Sequence, residues 1–229
     1  MNRMMVLLGL CTACTDVKSS AIKTDGMNAQ FSAVSDGTGT AASATIRVGG
    51  ELSNTFVELE EGDSIEVTDG AESMVLQHQG FGAFHEYGAF FQQSAAGTAF
   101  TFSLNRADGD NAPTSTAVLP DTFSITEPGT GQNFSRSDEI LVEWSGAGTG
   151  DRMQFEVTGD CIGGYVETKD GDDGSHVIPA GELDSFEEGE SCQATLVVER
   201  IRSGQLDPAF GSGSVYGAQR RTVDFRSDP

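Results

Sequence analysis

The chain has 229 residues, of which 35 are acidic and 13 are basic, and its formal net charge at pH 7 is −22. This charge excludes nucleic acid as a partner, because affinity for nucleic acid comes largely from lysine and arginine side chains that neutralise phosphates. The acidic residues are densest at positions 151–190, where a solvated acidic face is the simplest interpretation. The length after position 14 suits one large domain or two ordinary domains with separate cores.

The N-terminal segment has the pattern of an export signal. Arg3 precedes an apolar run at residues 4–10, and the small residues Thr12 and Ala13 stand directly before Cys14. A transmembrane helix would need about 20 apolar residues, so this run is too short to be one. The arrangement resembles a bacterial lipoprotein signal peptide, with a plain secretory signal as the alternative. The resemblance implies cleavage after Ala13, a diacylglycerol on the Cys14 thiol, and a place in the bacterial cell envelope, at the outer membrane.

Two segments follow the signal peptide, which occupies residues 1–13. Residues 14–26 mix polar and small side chains without apolar periodicity, which predicts a tether. Residues 27–119 carry apolar side chains at alternate positions, with clusters of glycine and aspartate between the alternating stretches. This pattern is typical of antiparallel strands that bury one face, and about seven or eight of them predict a β-sandwich.

The rest of the chain, residues 120–229, repeats the alternation after a segment rich in proline, which places the domain boundary near Pro120. The sequences ILVEW at 140–144 and MQFEV at 153–157 resemble the B and C strands of fibronectin type III and related immunoglobulin-like domains. The resemblance implies an immunoglobulin-like second domain. The whole chain is therefore predicted to be all-β, with two tandem immunoglobulin-like antiparallel β-sandwiches after the signal peptide.

Cys161 and Cys192 are the cysteines that remain once the signal is removed and Cys14 carries a lipid. Oxidation is the default state of cysteine pairs in exported proteins, so we predict a disulfide between them. Both residues adjoin alternating stretches and can reach the second core. A pair of metal ligands is the alternative, although no further cysteine lies nearby to complete such a site.

The sequence Asp-Gly-Asp-Asp-Gly at residues 170–174 is the candidate cation site, with Asp170, Asp172 and Asp173 as the calcium ligands. Calcium takes six to eight oxygen ligands, but the spacing here is not that of an EF-hand loop. An acidic β-turn needs the same residue types without any ion. We therefore predict an exposed turn here, with no resident metal and no cofactor in the protein.

Aromatic side chains crowd residues 80–91 too densely for strict alternation. Such a cluster is either a platform that binds a carbohydrate or peptide, or a cover over the open end of a sandwich. The candidate binding residues are Phe81, Phe84, Tyr87, Phe90 and Phe91.

The sequence contains no catalytic motif of the kinds that a short pattern can identify. His85 and Glu86 begin like the zinc motif HExxH, but Ala89 stands at the position of the second histidine, so surface or strand-face histidines are predicted. The glycine-rich stretches at 146–150 and 211–217 open no helix that could bind phosphate, and they are interpreted as turns or bulges.

These observations predict a lipid-anchored, extracytoplasmic protein that is not an enzyme. We expect it to act by adhesion, ligand binding or structural support, with the membrane and another envelope protein or a glycan as its partners. The alternative is an envelope hydrolase, or the accessory subunit of one, whose site is too dispersed along the sequence to be seen.

Overall fold

The computed structural model describes residues 15–186 and 189–229, and strands make up most of this part of the chain. The predicted signal peptide and the candidate lipidation residue Cys14 lie outside the described residues. The strands in chain order are β1 (Thr15–Lys18), β2 (Met27–Ser35), β3 (Thr40–Val48), β4 (Thr55–Glu58), β5 (Ser64–Thr68), β6 (Ser73–Val75), β7 (Gln77–His78), β8 (Tyr87–Phe91), β9 (Ala99–Asn105), β10 (Ala112–Val118), β11 (Ile125–Glu127), β12 (Asn133–Ser135), β13 (Ile140–Trp144), β14 (Arg152–Gly159), β15 (Ile162–Lys169), β16 (Ser175–Ile178), β17 (Cys192–Ser203) and β18 (Ser212–Asp228).

The helical content of the described residues is two single turns of 3-10 helix, Ser19–Ala21 and Thr24–Gly26. No helix in this part of the chain has the length and apolar character needed to span a membrane.

The strands form three sheets. The large sheet has the order β1-β4-β3-β2-β18-β17-β14-β15, with β8 beside β3, β7 beside β8 and β12 beside β18. A four-stranded sheet has the order β10-β9-β5-β6, and a three-stranded sheet has the order β11-β13-β16. Most pairs are antiparallel, whereas β1 with β4, β12 with β18 and β18 with β2 are parallel.

Strands β9 and β13 show why the alternating sequence gives these sheets. Phe100, Phe102 and Leu104 of β9 are fully buried, and so is Val142 of β13, while the residues between them face outward. Each large apolar side chain that leaves water in this way stabilises the fold by about 1.5–3 kcal/mol. The burial pattern confirms the predicted strands with one buried face.

Two hydrophobic cores lie between the large sheet and the two smaller sheets. In the first core, the ring of Phe31 on β2 stacks on Phe102 of the four-stranded sheet, with ring centroids 5.1 Å apart. In the second core, Phe155 on β14 packs against Trp144 of the three-stranded sheet, with centroids 5.4 Å apart. This arrangement confirms the all-β prediction with two β-sandwiches.

A long hairpin, β17–β18, belongs to both sandwiches. The two strands pair antiparallel from Cys192 with Ser227 to Ser203 with Tyr216, and the first half of β18 also pairs with β2. Val215 of β18 is therefore buried in the first core, whereas Phe225 of the same strand is buried in the second. The segment that the sequence assigns to the C-terminal domain thus extends into the first sandwich.

The segment expected to be a tether, residues 14–26, is described from residue 15, and residues 15–26 contain a strand and two turns of 3-10 helix. Strand β1 pairs with β4, and the buried guanidinium of Arg106 donates hydrogen bonds to the carbonyl oxygens of Ser19 and Ile22 at 2.6 and 2.9 Å, and to the Thr24 hydroxyl at 3.0 Å. The prediction of a tether is therefore wrong for the described part of this segment. Its polar residues are held by backbone pairing and by one buried cation, which apolar periodicity does not reveal.

Cys161 and Cys192 form the predicted disulfide, with their Cα atoms 5.7 Å apart. Cys161 follows β14 and is buried in the second core, and Cys192 begins β17. The buried guanidinium of Arg136 donates a hydrogen bond to Sγ of Cys161 at 3.0 Å and another to the Ser227 hydroxyl at 3.0 Å. The bridge therefore lies at the end of the hairpin that is farther from the first sandwich.

Removing this bridge should weaken the second sandwich more than the first. The two cysteines are 31 residues apart in the sequence. On the chain-entropy model, the double substitution Cys161→Ala and Cys192→Ala should therefore lower the free energy of unfolding by about 3–4 kcal/mol. Hydrogen exchange should show the loss at Leu196 in the second core and much less at Phe102 in the first. Equal loss of protection at both amides would contradict the prediction.

Candidate functional site

A groove crosses the outer face of the large sheet, on the side away from the first core. One cross-strand row there places Gly88, Ser43, Ser32 and Tyr216 side by side on β8, β3, β2 and β18. The Gln79 side chain covers Gly88, whereas the small side chains of Ser43 and Ser32 leave a low floor beside the Tyr216 ring. The groove has a volume of about 470 Å³ and continues into a second depression of about 280 Å³, which shares Ser32, Ser43 and Tyr216. We call these two depressions together the outer-face groove.

The outer-face groove is mostly polar. On its floor the hydroxyls of Ser32 and Ser43 are hydrogen-bonded to each other at 2.8 Å. Gln79, Glu86 and Arg220 also line it, which adds an amide, a carboxylate and a guanidinium. Hydroxyls and amides both donate and accept hydrogen bonds, so the groove offers donors and acceptors to a polar ligand.

Strand β8 divides the aromatic candidates between the core and the groove. Tyr87 and Phe91 point into the first core and are buried, whereas Phe90 between them is 49% exposed and lines the outer-face groove. Phe84 is partly buried ahead of the strand, and Phe81 is exposed at the surface. Of the five candidates, Phe90 is therefore the one that the structure brings into the groove, together with Tyr216, which the sequence analysis missed.

Tyr216 was missed because its stretch, 211–217, was interpreted as a turn or bulge. Most of these residues lie in β18, and the glycines are required by close backbone contact. A Cβ atom on Gly217 would lie 2.2 Å from the carbonyl oxygen of Val118, because β10 passes directly over this point. The alternation of Val215 with its neighbours is the feature of the sequence that could have identified this strand.

A second group of polar residues lies at the β1 edge of the first sandwich. The side chain of His85 is buried beside Asp16 of β1, and its Nδ1 lies 2.9 Å from Nε2 of the exposed His78. Its Nε2 lies 3.5 Å from a carboxylate oxygen of Asp16. Three side chains, those of Asp16, Glu58 and His85, each place one donor atom within 4.8 Å of the other two. Among the described residues, this is the group of three side chains that could hold a metal ion. We call it the His85 cluster.

The three aspartates at 170–174 do not come together. Asp172 is buried and points inward, where it accepts hydrogen bonds from Trp144 Nε1 and the Thr149 hydroxyl, both at 2.6 Å. Asp173 is paired with the Lys169 ammonium at 2.7 Å on the surface. The expectation of a fully exposed turn is thus wrong for Asp172.

Asp172 forms a fully buried ion pair with Arg200. A guanidinium nitrogen lies 3.0 Å from the carboxylate, and the same guanidinium donates to the carbonyl oxygens of Asp121 and Gly146, each at 2.9 Å. Burial raises the pKa of Asp172, but the hydrogen bonds from Thr149 and Trp144 and the charge of Arg200 offset this effect, and the net pKa is lowered. The carboxylate therefore fixes the loop to the second sandwich instead of offering a ligand to an ion.

The substitution Asp172→Asn should destabilise the protein by about 3–5 kcal/mol, because it leaves the Arg200 charge buried without a counterion. Since the pKa of Asp172 is lowered in the folded state, its contribution to stability is present at neutral pH and disappears as the pH falls through that lowered pKa. Denaturant unfolding at several pH values tests both statements. Asp173→Asn, which removes an exposed ion pair on the same loop, is the matched control and should have little effect. Equal effects of the two substitutions would contradict the assignment.

The grooves and histidines show no catalytic arrangement in the described residues. His176 is buried, with its Nε2 2.9 Å from the Tyr165 hydroxyl and its ring stacked on Phe155 at 4.1 Å. Neither His176 nor His85 has a serine hydroxyl or a cysteine thiol among its hydrogen-bond partners in the described part of the chain. A further open groove of about 680 Å³ on the second sandwich is lined by three glutamates and no cationic side chain.

The chain was also compared with known proteins. No protein-family model and no curated protein matches it. Among solved structures it is similar to the fibronectin(III)-like modules of Clostridium thermocellum CbhA, with 10% sequence identity and a TM-score of 0.23, over 86% of this chain and 91% of that chain. The strand pairing and the two hydrophobic cores establish the fold.

Proposed function

We propose that the protein is a non-catalytic binding module, anchored in the bacterial cell envelope by a lipid on Cys14, which holds an extended glycan in the outer-face groove. The observation that carries the binding role is the cross-strand row of Gly88, Ser43 and Ser32, in a groove that the exposed Phe90 ring and the partly buried Tyr216 ring also line. This row lies on the floor of a groove that runs across the strands of the large sheet.

The chemistry of the groove fits a sugar chain. The apolar face of a sugar ring packs against aromatic rings, which Phe90 and Tyr216 supply at two sides of the groove. The hydroxyls of a sugar exchange hydrogen bonds with serine hydroxyls and amides, and Ser32, Ser43 and Gln79 supply these groups. Sites that combine an aromatic anchor with a few placed polar groups are typical of small-molecule and oligosaccharide recognition.

The location is inferred from the N-terminal sequence. The charge at Arg3, the apolar run and the small residues before Cys14 support export and lipidation. The disulfide between Cys161 and Cys192 is consistent with an oxidising compartment outside the cytoplasm. We infer the outer membrane as the site of attachment.

Filling the groove should weaken glycan binding without unfolding the protein. Ser43→Tyr places a large ring on the floor, and we expect affinity for oligosaccharides to fall by more than about 10-fold, the effect of losing one central contact. Tyr216→Ala should have an effect of similar size, because it removes an aromatic contact. Calorimetric titration with a panel of amino-sugar oligosaccharides, including cell-wall glycan fragments, measures both changes.

The matched control is Ser73→Tyr, which adds the same side chain at an exposed position of β6 on the other sheet. This variant should bind like the unmodified protein. If no oligosaccharide in the panel binds, or if Ser43→Tyr binds as well as Ser73→Tyr, the proposal fails.

Lipidation is tested separately. Mass spectrometry of the mature N-terminus should find a chain that starts at Cys14 and carries a diacylglycerol. Because two acyl chains hold a protein on a membrane stably and one does not, Cys14→Ser should move the protein to the soluble fraction. A mature chain that begins at another residue, or an unmodified Cys14, would overturn this part of the proposal.

A further inference from the structure

The ring nitrogen Nε2 of His85 is buried and has no hydrogen-bond partner. The side chain is only 7% exposed, and a buried polar atom that forms no hydrogen bond destabilises a fold. The atom points at the carboxylate of Asp16, yet the separation of 3.5 Å is longer than a normal hydrogen bond. The nitrogen is therefore placed to bind something that lies between the two side chains.

The spacing of the donor atoms fits a bound metal ion. Two ligands at 2.0–2.1 Å from a tetrahedral ion lie about 3.3 Å apart, close to the 3.5 Å between His85 Nε2 and Asp16 Oδ2. Glu58 supplies the third donor atom, within 4.8 Å of the other two. The side chains of Asp16 and Glu58 are 47% and 34% exposed, so both can adjust their position while the histidine stays fixed.

The other ring nitrogen of His85 has the partner that a metal-bound histidine usually has. A histidine ligand normally donates its second ring N–H to a neighbouring acceptor, which sets the tautomer and the ring orientation. His85 Nδ1 lies 2.9 Å from Nε2 of His78. With the proton on Nδ1, His85 donates to His78 and presents the lone pair of Nε2 to the space beside Asp16 and Glu58.

We propose that Asp16, Glu58 and His85 form a metal site for a first-row divalent transition ion such as Zn²⁺, with His78 as the residue that positions His85. One imidazole and two carboxylates suit such an ion, and the imidazole favours it over Ca²⁺ or Mg²⁺, which prefer oxygen ligands alone. Three protein ligands leave one coordination position for water. This proposal is independent of the glycan-binding function.

Lys18 is the competing cation at this site, since its ammonium is paired with the Glu58 carboxylate. Its side chain is 52% exposed, so it can move into solvent when an ion binds. The ligands come from β1, from β4 and from the residues before β8, so the ion would connect three segments that are distant in sequence.

Titration of Zn²⁺ into the full chain in detergent, without an affinity tag, tests the proposal. We expect one saturable site per chain. His85→Gln should lower the affinity by more than about 100-fold, and His78→Ala should lower it by about 10–100-fold, the range seen for residues that orient a ligand. Co²⁺ bound at the same site should show the visible absorption of a four-coordinate ion, and His85→Gln should abolish it.

Two control variants separate this site from general binding to acidic surface. Glu61→Gln removes an exposed carboxylate near β4, and His176→Gln removes the buried histidine of the second sandwich, so both should retain the site. If His85→Gln fails to fold, Asp16→Asn decides, because this exposed side chain can lose its charge without disturbing the core. Absence of a saturable site, or equal affinity in Asp16→Asn and Glu61→Gln, would overturn the proposal.

Discussion

Strands β17 and β18 are hydrogen-bonded to each other along twelve consecutive residue pairs, and this shared hairpin passes from one hydrophobic core to the other. Successive side chains of a strand point to opposite faces, so a slip of β18 by one residue would remove Phe225 from the second core and Val215 from the first. The disulfide from Cys192 to Cys161 ties the start of β17 to the turn after β14. The packing of both sandwiches and the position of Tyr216 in the outer-face groove depend on the register of β18.

Three buried arginines attach the irregular segments to this framework. Arg106 holds the N-terminal turns, Arg136 holds the segment around the disulfide, and Arg200 holds the linker between the sandwiches. Each donates to main-chain carbonyl oxygens, which satisfies polar groups that would otherwise be buried without partners. In an acidic chain with few basic residues, these cations are committed to the interior, and the negative charge is left on the surface.

Patterns within short stretches of the sequence predicted the parts of the fold that depend on residues close together in the chain. The alternation of apolar and polar residues identified β9 and β13. The export signal implies an oxidising compartment, and this identified the bridge between Cys161 and Cys192. The pattern did not predict the pairing of β18 with β2, because parallel pairing between segments about 180 residues apart leaves no periodic signal. The same limit applies to the His85 cluster, whose ligands come from three separate segments, whereas the HExxH motif depends on spacing within one helix.

Strand β1 begins at Thr15, which is already paired with Thr55 of β4. If Cys14 carries a lipid, the anchor is therefore one peptide bond from a rigid sheet, a reach of about 4 Å. A protein held in this way has no stalk with which to search the space above the membrane, and the start of β1 stays close to the bilayer. Its ligand would have to come to the membrane surface, and the β1 edge of the sheet would face the lipid headgroups.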